Sequence, residues 1–71
     1  MEEIDTGIVA MNLRVARAKA NMTIDELAKR SGVGATTISF IENARKRTRL
    51  ITLGKLADAL GIELKDLLGI E

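Results

Sequence analysis

The stretch from residue 22 to residue 43 leaves this chain few ways to fold. Thr23-Ile24-Asp25-Glu26 has the spacing of a capping box. In that motif the Thr23 hydroxyl accepts from the backbone N–H of residue 26, and Glu26 reaches back to the start. Met22 before the cap and Leu27 after it are placed to form a hydrophobic staple. Gly32 then tolerates the left-handed backbone that ends a helix. The predicted helix is about eight residues long, too short to stand without packing. A second short helix is predicted after Gly34, running to about Asn43. At 100° per residue, Ile38 and Ile41 share one face with Glu42 beside them, and Thr36, Ser39, Phe40 and Asn43 fall opposite. Only Gly32-Val33-Gly34 separates the two helices.

Two short helices joined by a Gly-containing turn of three or four residues make a helix-turn-helix arrangement. The rest of the chain supplies what that pair must pack against. A first helix is expected from Asp5 or Thr6, either of which can cap it. Val9, Leu13, Ala16 and Ala20 form its core-facing stripe, and Asn21 suits the turn after it. A second apolar set, Ile8, Met11 and Val15, lies to one side. A fourth helix is expected from about Thr52, read as its cap, through Leu53, Leu56, Ala57 and Leu60 to Gly61. A last short helix holds Leu64, Leu67 and Leu68, and Gly69 closes it. Five short helices with local contacts specify an all-α domain. The length admits one domain, 1–71, with residues 1–5 read as a flexible lead.

Charge and composition narrow the function. The net charge is only +1, yet four of the five residues from Arg45 to Arg49 are cationic. The start is acidic, and Asp58, Glu63, Asp66 and Glu71 make the end acidic. A solvated loop is the plain reading of such a run. A positive face for an anionic partner is the functional one. There is no Cys and no His, which removes thiol nucleophiles, ordinary zinc sites and the commonest general base. An enzyme is therefore not expected, nor any metal or cofactor. RNA binding is disfavoured because stacking aromatics are nearly absent. No apolar run spans a bilayer and the acidic start is unlike a signal peptide, so the expected location is cytoplasmic, away from any membrane.

The segment Met22-Thr23-Ile24-Asp25-Glu26-Leu27-Ala28, through Val33 to Ile41-Glu42-Asn43, resembles the phage repressor and Cro-type helix-turn-helix family. That family includes the xenobiotic-response-element group of bacterial regulators. Leu56-Ala57-Asp58-Ala59-Leu60-Gly61-Ile62 and Asp66-Leu67-Leu68 extend the resemblance to roughly residues 9–69. It implies a compact five-helix, lambda-repressor-like domain that binds double-stranded DNA and regulates transcription. The helix over 35–43 would be the recognition helix in the major groove, and the helix before it would cross above and touch the backbone. Base contacts would fall to Ala35, Thr36, Ser39 and Phe40. Phosphate contacts would fall to Thr23, Thr37, Asn43, Arg45, Lys46, Arg47 and Arg49. Arg17 and Glu42 stand where the family has a structural ion pair. A homodimer on an inverted repeat would be the working form.

The chain also departs from the family pattern. Its recognition helix has no Gln, Arg or Lys, so bidentate pairing with guanine or adenine is absent there. Ala44 replaces the Gly that commonly follows the Glu-Asn pair, and Ile24 sits where a polar residue is frequent. Phe40, the only aromatic, is turned outward by the helical wheel. It either meets a thymine methyl, packs back on the basic loop, or faces a protein partner. The competing function is thus a protein-interaction or antitoxin-like module that keeps the fold but reads bases weakly. Ile8, Met11 and Val15, or the tail Leu67, Leu68 and Ile70, could supply a dimer interface. In so small a domain the expectation is instead that both sets complete the core.

Overall fold

The computed structural model describes residues 4–45 and 47–70. Within them the helices are α1 (Thr6–Lys19), α2 (Ile24–Ser31), α3 (Ala35–Glu42), α4 (Leu50–Leu60) and α5 (Leu64–Leu68). Their boundaries have identifiable causes. Asp5 caps α1, its Oδ1 accepting from the amides of Gly7 at 3.0 Å and Ile8 at 3.1 Å. The helix closes at Asn21, which takes a left-handed φ of 55°. The Met22 amide then donates to the Arg17 carbonyl at 3.1 Å, the six-to-one bond of a Schellman turn. The α2 capping box is complete: Glu26 N donates to Thr23 Oγ1 at 3.1 Å, and Thr23 N to Glu26 Oε1 at 2.9 Å. Gly32 stops α2 at φ 77°, a backbone that a Cβ would strain.

α1 packs on α3 and α5, α2 on α3 and α4, and α4 on α5. One contiguous core fills the space between them. It is built from Val9 and Leu13 of α1, Leu27 of α2, and Ile38 and Ile41 of α3. Leu53, Leu56 and Ala57 of α4, Leu67 of α5 and Val33 of the turn complete it. Val33 anchors the turn between α2 and α3 in this core.

Five expectations need correction. The α4 helix starts two residues before Thr52, with Arg49 in the capping position at φ −77°, ψ 151°. The Arg49 carbonyl accepts from Leu53 N at 3.1 Å, so the first turn is already closed when Thr52 is reached. The apolar pattern hid this turn because Leu50 and Ile51 are exposed. On α1 the buried stripe runs through Val9, Ala10 and Leu13, with Ala16 and Ala20 only half-buried. Ile8, Met11 and Val15 do not complete the core; they are 39%, 51% and 47% exposed. The tail divides: Leu67 is buried, Leu68 half-buried and Ile70 exposed. Of the lead expected at 1–5, residues 1–3 lie outside the described residues, whereas Ile4 packs against the core and Asp5 caps α1.

The capping box carries a pH signature. Backbone and hydroxyl hydrogen bonds from Thr23 hold the Glu26 carboxyl below its ordinary value. A carboxyl depressed in the folded state stabilises above its unfolded pKa, and that contribution fades as pH falls through the folded value. The stability difference between the native chain and Glu26→Gln is therefore largest near neutrality and shrinks below about pH 4.3. Urea unfolding at a series of pH values measures it; a difference independent of pH would remove the carboxylate from the cap.

Candidate nucleic-acid interface

The orientation of α3 is set from its buried side. Glu42 is the one charged side chain buried among the described residues, at 5% exposure. Its carboxylate receives Arg17 Nε at 2.7 Å and Arg17 Nη2 at 3.0 Å, a two-pronged pairing. The third arm, Nη1, donates to the Met22 carbonyl at 3.0 Å. One guanidinium thus joins α1, the α1–α2 turn and the end of α3. The hydrogen bond to Glu42 raises the Arg17 pKa above its ordinary value despite burial, so the guanidinium keeps its charge at any working pH.

With Ile38, Ile41 and Glu42 inward, α3 turns Thr36, Phe40 and Asn43 to the surface. Ala35, Thr37 and Ser39 are half-buried along its edges. Phe40 stays 42% exposed, so the fold itself does not cover it. Asn43 Nδ2 donates back to the Ser39 carbonyl at 2.7 Å, which leaves one amide hydrogen for an outside acceptor. Thr23 is exposed; its hydroxyl accepts from the Glu26 amide and is hydrogen-bonded to the Glu26 carboxyl, so both groups stand together at the start of α2.

The segment after α3 is aimed by a backbone turn. Ala44 adopts φ 55°, the left-handed conformation that a Cβ disfavours. Its amide donates to the Ile41 carbonyl at 3.1 Å and the Arg45 amide to the Phe40 carbonyl at 2.9 Å, the two bonds of a Schellman motif. Arg45 is thereby fastened to the outward-facing part of α3. Arg45, Arg47 and Arg49 are exposed, and Lys46 lies outside the described residues. Thr37, Arg47, Thr48, Arg49 and Thr52 line a surface recess of about 270 Å³. Sequence reading named Thr37, Arg47 and Arg49 but gave Thr48 no role and took Thr52 for a cap. The signal for both was the placement of α4, whose first turn receives no side-chain cap. From that turn α4 runs about 12 Å to Asp58, so Arg49 and Asp58 stand toward opposite ends of this helix.

Two substitutions test the framework. Arg17→Met leaves the Glu42 carboxylate buried without its partner and costs about 2–4 kcal/mol in urea unfolding. Arg17→Met with Glu42→Leu recovers most of the loss. A single-variant loss below about 0.5 kcal/mol would reduce the pair to an ordinary surface contact. Ala44→Gly relieves the left-handed turn and stabilises by about 0.5–1 kcal/mol, net of the entropy that Gly adds to the unfolded chain; a loss of stability would mean that the Ala44 methyl packs productively.

Known proteins agree with this geometry. A helix-turn-helix family model matches residues 13–67. A hypothetical transcription factor of Neisseria meningitidis is 33% identical over 62 residues, covering 87% of this chain and 58% of its own length. An uncharacterized HTH-type transcriptional regulator of Archaeoglobus fulgidus is 41% identical over 51 residues, covering 72% of each protein. The chain thus spans little more than half of the Neisseria relative. Among solved structures, a hypothetical transcription factor from Neisseria superposes with a TM-score of 0.85 at 30% identity, over 96% of this chain and 83% of that one. The restriction-modification controller protein C.AhdI from Aeromonas hydrophila gives 0.84 at 28% identity, over 89% and 96%. With the turn, the paired Arg17 and Glu42 and the exposed face of α3 in place, the chain belongs to the HTH_3 helix-turn-helix family.

Proposed function

We propose that this chain is a DNA-binding transcriptional regulator whose α3 enters the major groove of double-stranded DNA. One observation carries the reading: the outward face of α3 and the exposed Arg45 after it are fastened together through the Phe40–Arg45 backbone bond. A single rigid unit so built can present base-reading and phosphate-holding groups at the same time. The family relationship to transcription factors supports it.

In this reading Ala35, Thr36, Ser39 and Phe40 meet base edges. Their methyls, hydroxyls and one ring favour thymine methyls and local DNA shape over guanine. Thr23, Thr37, Asn43, Arg45, Arg47 and Arg49 hold phosphates, and Lys46 is assigned there from sequence alone. The recess at Thr37 and the uncapped amides of α4 are suited to one phosphate. Two copies on an inverted repeat would place their α3 helices about 34 Å apart. No helix among the described residues is long and apolar enough to cross a membrane, and the reading places the protein with DNA in the cytoplasm. Catalysis has no part in it.

The exposure of Phe40 favours a second reading, in which this face binds a protein. Selection of bound duplexes from a random pool separates the two. The regulator reading expects a symmetric, thymine-rich consensus. Replacing a contacted thymine by deoxyuridine removes only a methyl. That change should weaken the native chain by about 1 kcal/mol and leave Phe40→Ala unaffected. Arg45→Ala and Arg49→Ala should each flatten the salt dependence of binding by about one unit of slope. An unenriched pool would favour the protein-binding reading.

A further inference from the structure

The outer face of α1 is left over by everything described so far. Ile8, Met11 and Val15 are exposed there, and their three- and four-residue spacing makes a seam roughly opposite the buried stripe of Val9, Ala10 and Leu13. Beside the seam, between α1 and the α4–α5 turn, lies an open groove of about 450 Å³. Val15, Ala16, Ala20, Leu60 and Ile62 wall it, with Lys19 and Asp66 at its edge.

We propose that this face binds a second copy of this chain, α1 against α1 in antiparallel register. The patch is self-complementary about the middle of the helix. Its protruding apolar groups, Ile8 and the exposed Ile70, lie at one end of α1. Gly69 places Ile70 there: a Cβ on Gly69 would stand 2.7 Å from Ile8 Cγ2. The groove lies at the other end. Both lie on the flank of α1 that faces α5, as a two-fold axis crossing the helix requires. The midpoint of Ile8 and Val15 falls between Met11 and Asn12, so the protrusion of each copy meets the groove of its partner. Charge agrees with the same register. Exposed Asp5 and Lys19 have Asn12 as their midpoint, and the antiparallel arrangement sets Asp5 of each copy beside Lys19 of the other. A parallel arrangement would set Lys19 against Lys19 and leave both grooves empty. At the centre Asn12 Nδ2 donates to the Leu67 carbonyl at 3.2 Å, which leaves its second hydrogen and its Oδ1 to bond across the axis when the interface closes.

This assigns a surface to the two-copy reading above and rests on it, but its test needs no DNA. Sedimentation of the native chain over about 10–500 µM, the range for a small interface, should show a monomer–dimer equilibrium. Met11→Glu buries charge against charge and should weaken it at least about ten-fold with an unchanged helical spectrum. Ile8→Lys and Val15→Glu should each sediment as monomers. Mixing them should restore a dimer, because antiparallel packing faces Ile8 of each copy with Val15 of the other, and the two introduced charges are opposite in sign. A native chain that is monomeric throughout overturns the proposal and leaves two-copy binding on DNA to be judged by the selected consensus. A dimer that survives Met11→Glu overturns the surface while keeping the two-copy reading. A mixture that stays monomeric overturns the register.

Discussion

The Arg17–Glu42 pair is the joint from which the rest of the domain takes its geometry. A helix of eight residues such as α3 has little intrinsic stability and could rock on two isoleucines. Three directed hydrogen bonds from one planar guanidinium remove that freedom. Burial makes the restraint strict, since a carboxylate at this depth is costly to leave without the donors of Arg17. The outward direction of Phe40 and Thr36 follows from what happens on the opposite side of the same helix. The hydrophobic core holds the elements together; the ion pair decides their angle.

The acidic and basic groups then fall into place without a strong net charge. α4 begins beside the arginines and runs to Asp58, so a chain that is nearly neutral overall concentrates exposed arginines at the start of this helix. The first turn of α4 reinforces that end, because its unbonded amides add partial positive charge to that of Arg47 and Arg49.

Much of this was legible in the sequence where local chemistry is decisive. Thr23 and Glu26 specify the start of α2, Gly32 its end, and the spacing of Ile38 and Ile41 the buried side of α3. The ion pair was legible only through family resemblance, because nothing in the spacing of Arg17 and Glu42 announces a contact across 25 positions. The start of α4 was not legible. Leu50 and Ile51 are apolar but exposed, so pattern reading has no reason to place them in a helix, and Arg49 carries no capping chemistry. Nor was the fate of Ile8, Met11 and Val15: periodicity reports that a face is apolar, and tertiary packing decides whether anything covers it. Thr48 and Thr52 became relevant only when three segments met at one recess.

Ala44 has a consequence for phase. A helix turns through 100° per residue, so the outward face of α3 and Arg45 keep one relative direction only if the path between them is invariant. The left-handed residue makes the shortest such path, reversing the chain and returning the next amide to a carbonyl one turn back. Lengthening this corner by one residue would leave charge and composition almost untouched. It would nonetheless turn Arg45 away from the outward face of α3. The corner therefore works as a spacer gauge, and the conformational penalty borne by its alanine is a measure of how narrowly that gauge is set.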